Sequence, residues 1–118
     1  DVSKATLSTA WDISTASYAS KSFSVASQDT GPGGMSFKSD GTKMYISGSS
    51  SGNNVYQYSL STAWDVSTAS YDSVSFTATG VSSLRGVWFS SDGTHLYLVD
   101  GTIQRVWKLR WYKAVPYG

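Results

Sequence analysis

The residues best suited to bind a ligand are two Trp-Asp pairs that occur in the same sequence context. Trp11-Asp12 lies within LSTAWDISTASY, and Trp64-Asp65 lies within LSTAWDVSTASY. Carbohydrate sites stack sugar rings on indoles beside hydrogen-bonding carboxylates, so these four residues are the candidate ligand-binding residues. The structural alternative, which the pattern favours, is that each Trp packs against a neighbouring sheet while each Asp caps the Ser-Thr turn that follows it.

Catalytic and metal chemistry have few residues to draw on. His95 is the only histidine, and it follows an Asp-Gly turn at the place that Lys43 holds in the other repeat. We therefore expect a solvated side chain there and not the base of a Ser-His-Asp triad. One histidine without cysteine or glutamate is too few ligands for zinc, and Asp40 and Asp92 lie in tight turns instead of a calcium-binding loop. We expect no catalytic residue, no metal and no cofactor.

Nucleic acids and membranes are also not expected as partners. The GPGG segment at 31–34 lacks the Lys of a phosphate-binding loop, and the net charge is only +1. Basic and aromatic residues interleave along 105–113, but strand alternation explains them as the solvent face of a half-buried strand. Apolar runs are only a few residues long, too short for a membrane-spanning helix.

An internal repeat organises the chain. Residues 7–23 and 60–76 are identical at 14 of 17 positions with an offset of 53, and 34–46 and 86–98 match at 7 of 13 with an offset of 52. Polarity comes from hydroxyls, since the chain has 24 Ser and 11 Thr but no Glu. Because Ser, Thr and Asp favour strands, turns and caps over helix interiors, the composition predicts an all-β fold.

Each repeat contains the signals of four short strands. We predict strand a at 34–37 and 86–89, strand b at 44–46 and 96–99, strand c at 55–60 and 103–111, and strand d at 18–25 and 71–77. Asp-Gly turns at 39–42 and 91–94 are expected to form two-residue hairpins between a and b. Strand b does not alternate, which predicts burial on both faces. Four antiparallel strands per repeat are typical of a β-propeller blade, with a repetitive β-sandwich or a β-solenoid as alternatives.

The motif F-x-S-D-G-T-x-x-Y, at 37–45 and 89–97, resembles the blade signature of YVTN, lactonase and TolB-like propellers. With LSTAWD(I/V)STASY between blades, the repeat is similar to Ser/Thr-rich propeller repeats of marine bacteria and their phages. The resemblance implies a fold more than a function. We expect one two-blade unit over 1–118, with repeat 1 at about 7–58, repeat 2 at about 60–109 and a C-terminal tail at 111–118.

Two blades cannot close a propeller, which needs about four to eight. The predicted strand order is d, then a-b-c-d, then a-b-c, so the first d strand would complete the blade that Gly86 begins in a neighbouring copy. A cyclic homo-oligomer is expected, and a trimer of six blades is favoured because small two-blade lectins assemble in this way. The competing explanation is a fragment of a longer propeller.

The function predicted from the sequence is a ring-forming, non-enzymatic binding or adhesion module, with glycans as the expected partner. Repeated Trp-Asp loops around a ring would multiply weak sites into avidity. The alternative is a structural scaffold of a virion or cell-surface appendage. Both readings favour an extracellular or virion-surface location.

Overall fold

The all-β prediction is confirmed by the computed structural model, which describes residues 1–102, 105–109 and 114–116. The described strands are β1 (Val2–Leu7), β2 (Ala16–Phe23), β3 (Pro32–Phe37), β4 (Lys43–Gly48), β5 (Asn54–Leu60), β6 (Ala69–Thr77), β7 (Leu84–Phe89), β8 (Leu96–Asp100), β9 (Arg105–Leu109) and β10 (Ala114–Pro116). Single 3-10 turns at Ile13–Thr15 and Val66–Thr68 follow β1 and β5. Among the described residues, no helix is both long enough and apolar enough to cross a membrane.

The strands form three antiparallel sheets. Sheet I contains β1 and β2, sheet II has the order β3-β4-β5-β6, and sheet III has the order β7-β8-β9-β10. The four strands predicted in the first full repeat are therefore the four strands of sheet II. The repeated loops follow the same plan, because β1, its 3-10 turn and β2 correspond to β5, its 3-10 turn and β6.

Two details of the predicted strand order were wrong. The first d strand has a partner in its own chain, since β2 pairs with β1 from Val2↔Phe23 to Leu7↔Ala16. β1 escaped prediction because Ser, Lys and Thr interrupt its few apolar residues. The last sheet also has an outer strand, because β10 pairs with β9. The second c strand is Arg105–Leu109, while residues 103, 110 and 111, and most of the predicted tail, lie outside the described residues.

The Asp-Gly turns are four-residue hairpins and not the two-residue hairpins expected. The amide of Lys38 donates to the carbonyl of Lys43 at 3.0 Å, and the Gly41 amide donates to the Lys38 carbonyl at 2.8 Å. Gly41 has φ +74°, so the need for positive φ is confirmed. Asp40 stabilises the loop by accepting from the amide of Thr42 at 2.9 Å.

Two apolar layers hold the three sheets together. The layer between sheets I and II contains Val2, Val25, Met44, Ile46, Tyr56, Tyr58, Leu60 and Val66. The layer between sheets II and III contains Val55, Ala78, Val81, Leu84, Val87 and Leu98. Strand β4 contributes to both, because Met44 and Ile46 belong to the first layer while Tyr45 packs against the second. Burial of strand b on both faces is thus confirmed for β4. It is wrong for β8, where Leu98 is buried but Val99 is 45% exposed.

Candidate functional site

A cleft of about 640 Å³ is lined by residues of sheets II and III. Glycine sets its position: a Cβ at Gly33 would lie 2.7 Å from the Arg85 carbonyl oxygen, and one at Gly34 would lie 2.8 Å from Gly86 Cα. The strands β3 and β7 therefore touch through their backbones at their start. Towards the Asp-Gly turns they carry larger side chains, and the cleft lies there. Its lining residues are Met35, Ser36, Phe37, Lys38, Ser39, Tyr45, Trp64, Trp88, Phe89, Ser90, Ser91, Asp92 and Gly93.

Trp64 is the one predicted site residue that lines the cleft. It lies in the β5–β6 loop with φ +65°, and its amide donates to the Gly41 carbonyl at 3.0 Å. The indole covers Gly41 so closely that a Cβ there would overlap it, and the centroids of the Trp64 and Phe37 rings are 5.2 Å apart. Trp64 therefore packs on the turn of its own sheet. It still leaves 48% of its surface exposed.

Asp12 and Asp65 act as caps. Oδ1 of Asp12 accepts from the Ser14 amide at 3.0 Å and hydroxyl at 2.6 Å, and Asp65 binds Ser67 in the same way at 3.1 Å and 2.6 Å. These Ser14 bonds lower the pKa of Asp12. The pKa of Asp65 is lowered by Ser67 and by Lys21, whose Nζ lies 3.0 Å from Oδ2. Neither carboxylate is among the cleft-lining residues.

Trp11 stands apart from the cleft. Its backbone has φ +66°, within one degree of Trp64, yet its side chain is 98% exposed. The four predicted site residues are therefore not brought together. One indole enters a cleft, two carboxylates cap turns, and the other indole is exposed.

Sequence reasoning missed the second indole of the cleft. Trp88, on β7, takes the place that Ser36 holds on β3; it is 70% exposed and lines the cleft. The signal was present, because a Trp that replaces a Ser within a repeat is unexpected on a covered face. Tyr45 and Phe89 also line the cleft, with ring centroids 4.4 Å apart, and burial raises the pKa of Tyr45.

Most polar groups of the cleft come from the two turns, and Ser36 on β3 adds another. Lys38 and Asp92 are its charged residues, and four serines add hydroxyls. Hydrogen bonds from Thr94, above all its hydroxyl, and from Ser90 lower the pKa of Asp92 to about 2. Asp92 is therefore a carboxylate at neutral pH. The cleft can stack an apolar ring face and hydrogen-bond a polar rim.

His95 lies outside the cleft lining, with an exposed side chain as expected for a solvated turn residue. Its Nδ1 is 3.0 Å from the Thr94 hydroxyl. Among the described residues, no three His, Cys, Asp or Glu side chains are grouped as metal ligands would be. Comparison with protein-family models, with curated proteins and with solved structures finds no match to this chain.

Proposed function

We propose that the chain is a β-propeller segment that binds carbohydrate, without catalysing a reaction on it. One observation carries the proposal: Trp64 and Trp88 line a single cleft whose polar groups are serine hydroxyls, Lys38 and Asp92. The propeller part is supported by two consecutive four-stranded antiparallel sheets with the same strand order, each containing one copy of the F-x-S-D-G-T-x-x-Y motif.

Carbohydrate fits this cleft because a sugar ring is amphipathic. Its C–H face packs on an aromatic ring, while its hydroxyls require donors and acceptors around the edge. Trp64 supplies a half-exposed indole that is already fixed by Phe37 and Gly41, so little side-chain entropy is lost on binding. Asp92 supplies a carboxylate acceptor, and Lys38 supplies a donor.

Assembly into a ring would repeat the cleft around an axis. A single open cleft of this kind gives weak affinity, but several on one particle give avidity at a surface that carries many glycans. We therefore propose adhesion to glycans by a cyclic homo-oligomer, with a trimer of six blades as the favoured form. An extracellular or virion-surface location follows from that role.

The test is a glycan array followed by titration of the best soluble monovalent sugar. Titration at a concentration where the chain is monomeric reports on the cleft of a single chain, without avidity and without a neighbouring copy. Trp64→Ala is expected to weaken binding at least about tenfold, the equivalent of about 1.4 kcal/mol. Trp11→Ala, titrated under the same monomeric conditions, is the matched control, because within a single chain it removes the equivalent indole outside the cleft, and it should leave the affinity unchanged.

Two further variants, Trp64→Phe and Trp88→Ser, test the contribution of each indole to sugar affinity. Trp64→Phe retains an aromatic ring over the turn and should lose less affinity than Trp64→Ala. Trp88→Ser installs the residue of the other repeat and should weaken binding without unfolding the chain. Equal losses for Trp11→Ala and Trp64→Ala, or no sugar bound by the wild-type chain, would overturn the proposal and favour the scaffold of a virion or appendage.

A further inference from the structure

The two ends of the stack of sheets expose residues whose counterparts inside the stack are covered. Trp88 on β7 is 70% exposed, whereas Ser36 at the same place on β3 is 9% exposed. Met35 on β3 is 39% exposed, whereas Val87 at the same place on β7 is 6% exposed. Within the described part of the chain, Trp88 on sheet III and Met35 on sheet II therefore have no covering sheet.

The repeat identifies the structural element that would cover Met35. Val87 is buried in the layer that sheet II forms with sheet III, where Tyr45 of β4 packs. Sheet I precedes sheet II as sheet II precedes sheet III, but it contains only the counterparts of β5 and β6. Among the described residues, the free edge of β1 has no strand. The missing element is therefore a hairpin equivalent to β3–β4.

The contact between a Trp loop and an Asp-Gly turn is likewise complete only in sheet II. In sheet II, Trp64 covers Gly41, which is buried. In sheet I, Trp11 has the same positive φ but no Asp-Gly turn to cover. In sheet III, Gly93 has the φ of +74° found at Gly41, but a Cβ there would meet nothing within 4 Å. Among the residues that the structure describes, one indole thus lacks a turn, and one turn lacks an indole.

The Trp11 loop is already formed for such a contact. Positive φ is costly for a bulky residue, so it persists only where surrounding contacts fix it. The Asp12 cap and the bond from the Thr15 hydroxyl to the Asp12 carbonyl, at 2.7 Å, hold the loop in the conformation of the Trp64 loop. Docking would need no rearrangement of this loop.

We propose that the β1–β2 hairpin of one copy completes the β7–β8 hairpin of a second copy. In the complex β1 pairs with β8 as β5 pairs with β4, and Trp11 covers the partner's Gly93 as Trp64 covers Gly41. The partner is a second copy of this chain. The contact is head-to-tail and closes into a ring in which each copy contributes the equivalent of two complete blades. The proposal depends on the propeller part of the proposed function and not on carbohydrate binding.

The exchange requires β1 to take the place of β9, which pairs with β8 within one chain. The sequence that follows β9 does not repeat LSTAWD, so β9 is not followed by the Trp-Asp loop that covers the turn in sheet II. The β1–β2 hairpin has that loop. Replacing β9 therefore adds burial of an indole on Gly93, which is the contact that favours the exchanged state.

Engineered disulfides test the register of the exchange. Lys43 and Ser59 are direct partners between β4 and β5, and the repeat transfers this pair to His95 and Thr6. The chain contains no cysteine, so new thiols have no competitor. Mixing tagged Thr6→Cys chains with His95→Cys chains should give a mixed disulfide on oxidation, because cross-strand partners lie within disulfide distance. A Ser27→Cys and His95→Cys mixture is the mismatched control.

The mass of the chain in solution tests the indole. The wild-type chain should elute as a discrete multiple of 12.7 kDa. Trp11→Ala should reduce the mass to one chain without loss of folding, since Trp11 is 98% exposed. Gly93→Asn should do the same, because Asn tolerates positive φ but blocks the turn. Trp64→Phe should still assemble.

A monomeric wild-type chain, assembly of Trp11→Ala at the wild-type concentration, or equal crosslinking in the mismatched mixture would each overturn the exchange. These outcomes are independent of the sugar titration. A monomer that binds sugar through Trp64 would remove the self-association proposal and leave the cleft intact. A ring that binds no sugar would leave the self-association proposal intact and remove the proposal of carbohydrate binding.

Discussion

Asp29 in sheet II and Asp100 in sheet III are buried carboxylates that make the same link, between the segment before the first strand and the segment after the second. Asp29 lies before the first strand of its sheet, whereas Asp100 lies at the end of the second strand of its sheet. Asp29 precedes β3 and accepts from the amides of residues 50 and 51, which follow β4, both at 3.2 Å. Asp100 ends β8 and accepts from the amides of residues 82 and 83, which precede β7, at 2.7 and 3.2 Å. Sheets II and III thus each have one carboxylate that links the segment before their first strand to the segment after their second.

One sheet does not have room for carboxylates at both of these positions. The strand residue that corresponds to Asp100 in sheet II is Gly48, and a Cβ there would overlap the Asp29 carboxylate. The loop before β7 has no acidic residue at 78–83. The repeats have therefore diverged in sequence while they retain one buried acceptor for the loop amides in each sheet.

Moving the carboxylate of sheet II to the strand is the first prediction. Asp29→Ala should destabilise the chain by about 2–3 kcal/mol, since it leaves buried amides without an acceptor. Gly48→Asp alone should also destabilise, because two carboxylates would share one space. The double variant should recover at least half of either loss in urea unfolding. Strictly additive losses would show that the two arrangements are not interchangeable.

The matched glycines give a second prediction about the Trp contact. Gly41 and Gly93 have the same φ of +74°, so alanine costs about 1–2 kcal/mol of backbone strain at either position. At Gly41 the new Cβ also overlaps the Trp64 indole, which should add about 1–3 kcal/mol of overpacking. Urea unfolding of the two variants under monomeric conditions measures the difference. Equal losses would mean that the indole does not press on Gly41.

The repeat was sufficient to predict the four strands of sheet II, because each has a strong local signal between turn residues. β1 was not predicted, since only Val2 and Leu7 retain the pattern of β5 and the residues between them, at 3–6, are small or polar. Its existence depends on pairing with β2, a contact that local propensity does not encode. The turn type was also wrong, because loop length depends on which residues close the hairpin.

The different surroundings of the two Trp loops could not be predicted from their nearly identical sequences. Trp11 and Trp64 share their neighbours and their backbone conformation, but only Trp64 has an Asp-Gly turn beneath it. That difference arises from strands that lie far from the loop in sequence. The cleft was missed for the same reason, since Trp88 and Trp64 come together only when β3 and β7 pack.

Acid is predicted to destabilise the chain through its turn carboxylates. The pKa of Asp40, lowered chiefly by the Thr42 hydroxyl, and that of Asp92 are both about 2 in the folded chain, against 3.8 ordinarily. A carboxylate with a depressed pKa contributes stability that is complete above the unfolded value and is lost as pH falls through the folded value. The Tm should therefore fall between about pH 4 and pH 2. The double variant Asp40→Asn, Asp92→Asn should show a smaller fall over that window, and an unchanged slope would contradict the assignment.

High pH is predicted to destabilise the chain through ionisation of Tyr58, a tyrosine of the layer between sheets I and II. Its ring is fully buried, lies 5.6 Å from Phe23 and 5.4 Å from Tyr71, and its hydroxyl donates to Oε1 of Gln28 at 2.9 Å. Burial raises the pKa of Tyr58 to about 12 from 10.0. Its contribution to stability is therefore complete below pH 10 and is lost as pH rises through 12.

Tyr58→Phe separates this ionisation from the packing of the ring. The variant should lose about 1 kcal/mol at neutral pH, because the Gln28 carbonyl loses its donor while the ring volume is retained. Its stability should decline less steeply between pH 10 and pH 12, and tyrosinate absorbance should lack one late-titrating group. If the alkaline titration of Tyr58→Phe matches that of the wild type, the buried hydroxyl ionises only after the layer has already opened, and the alkaline limit of the fold is set by another group.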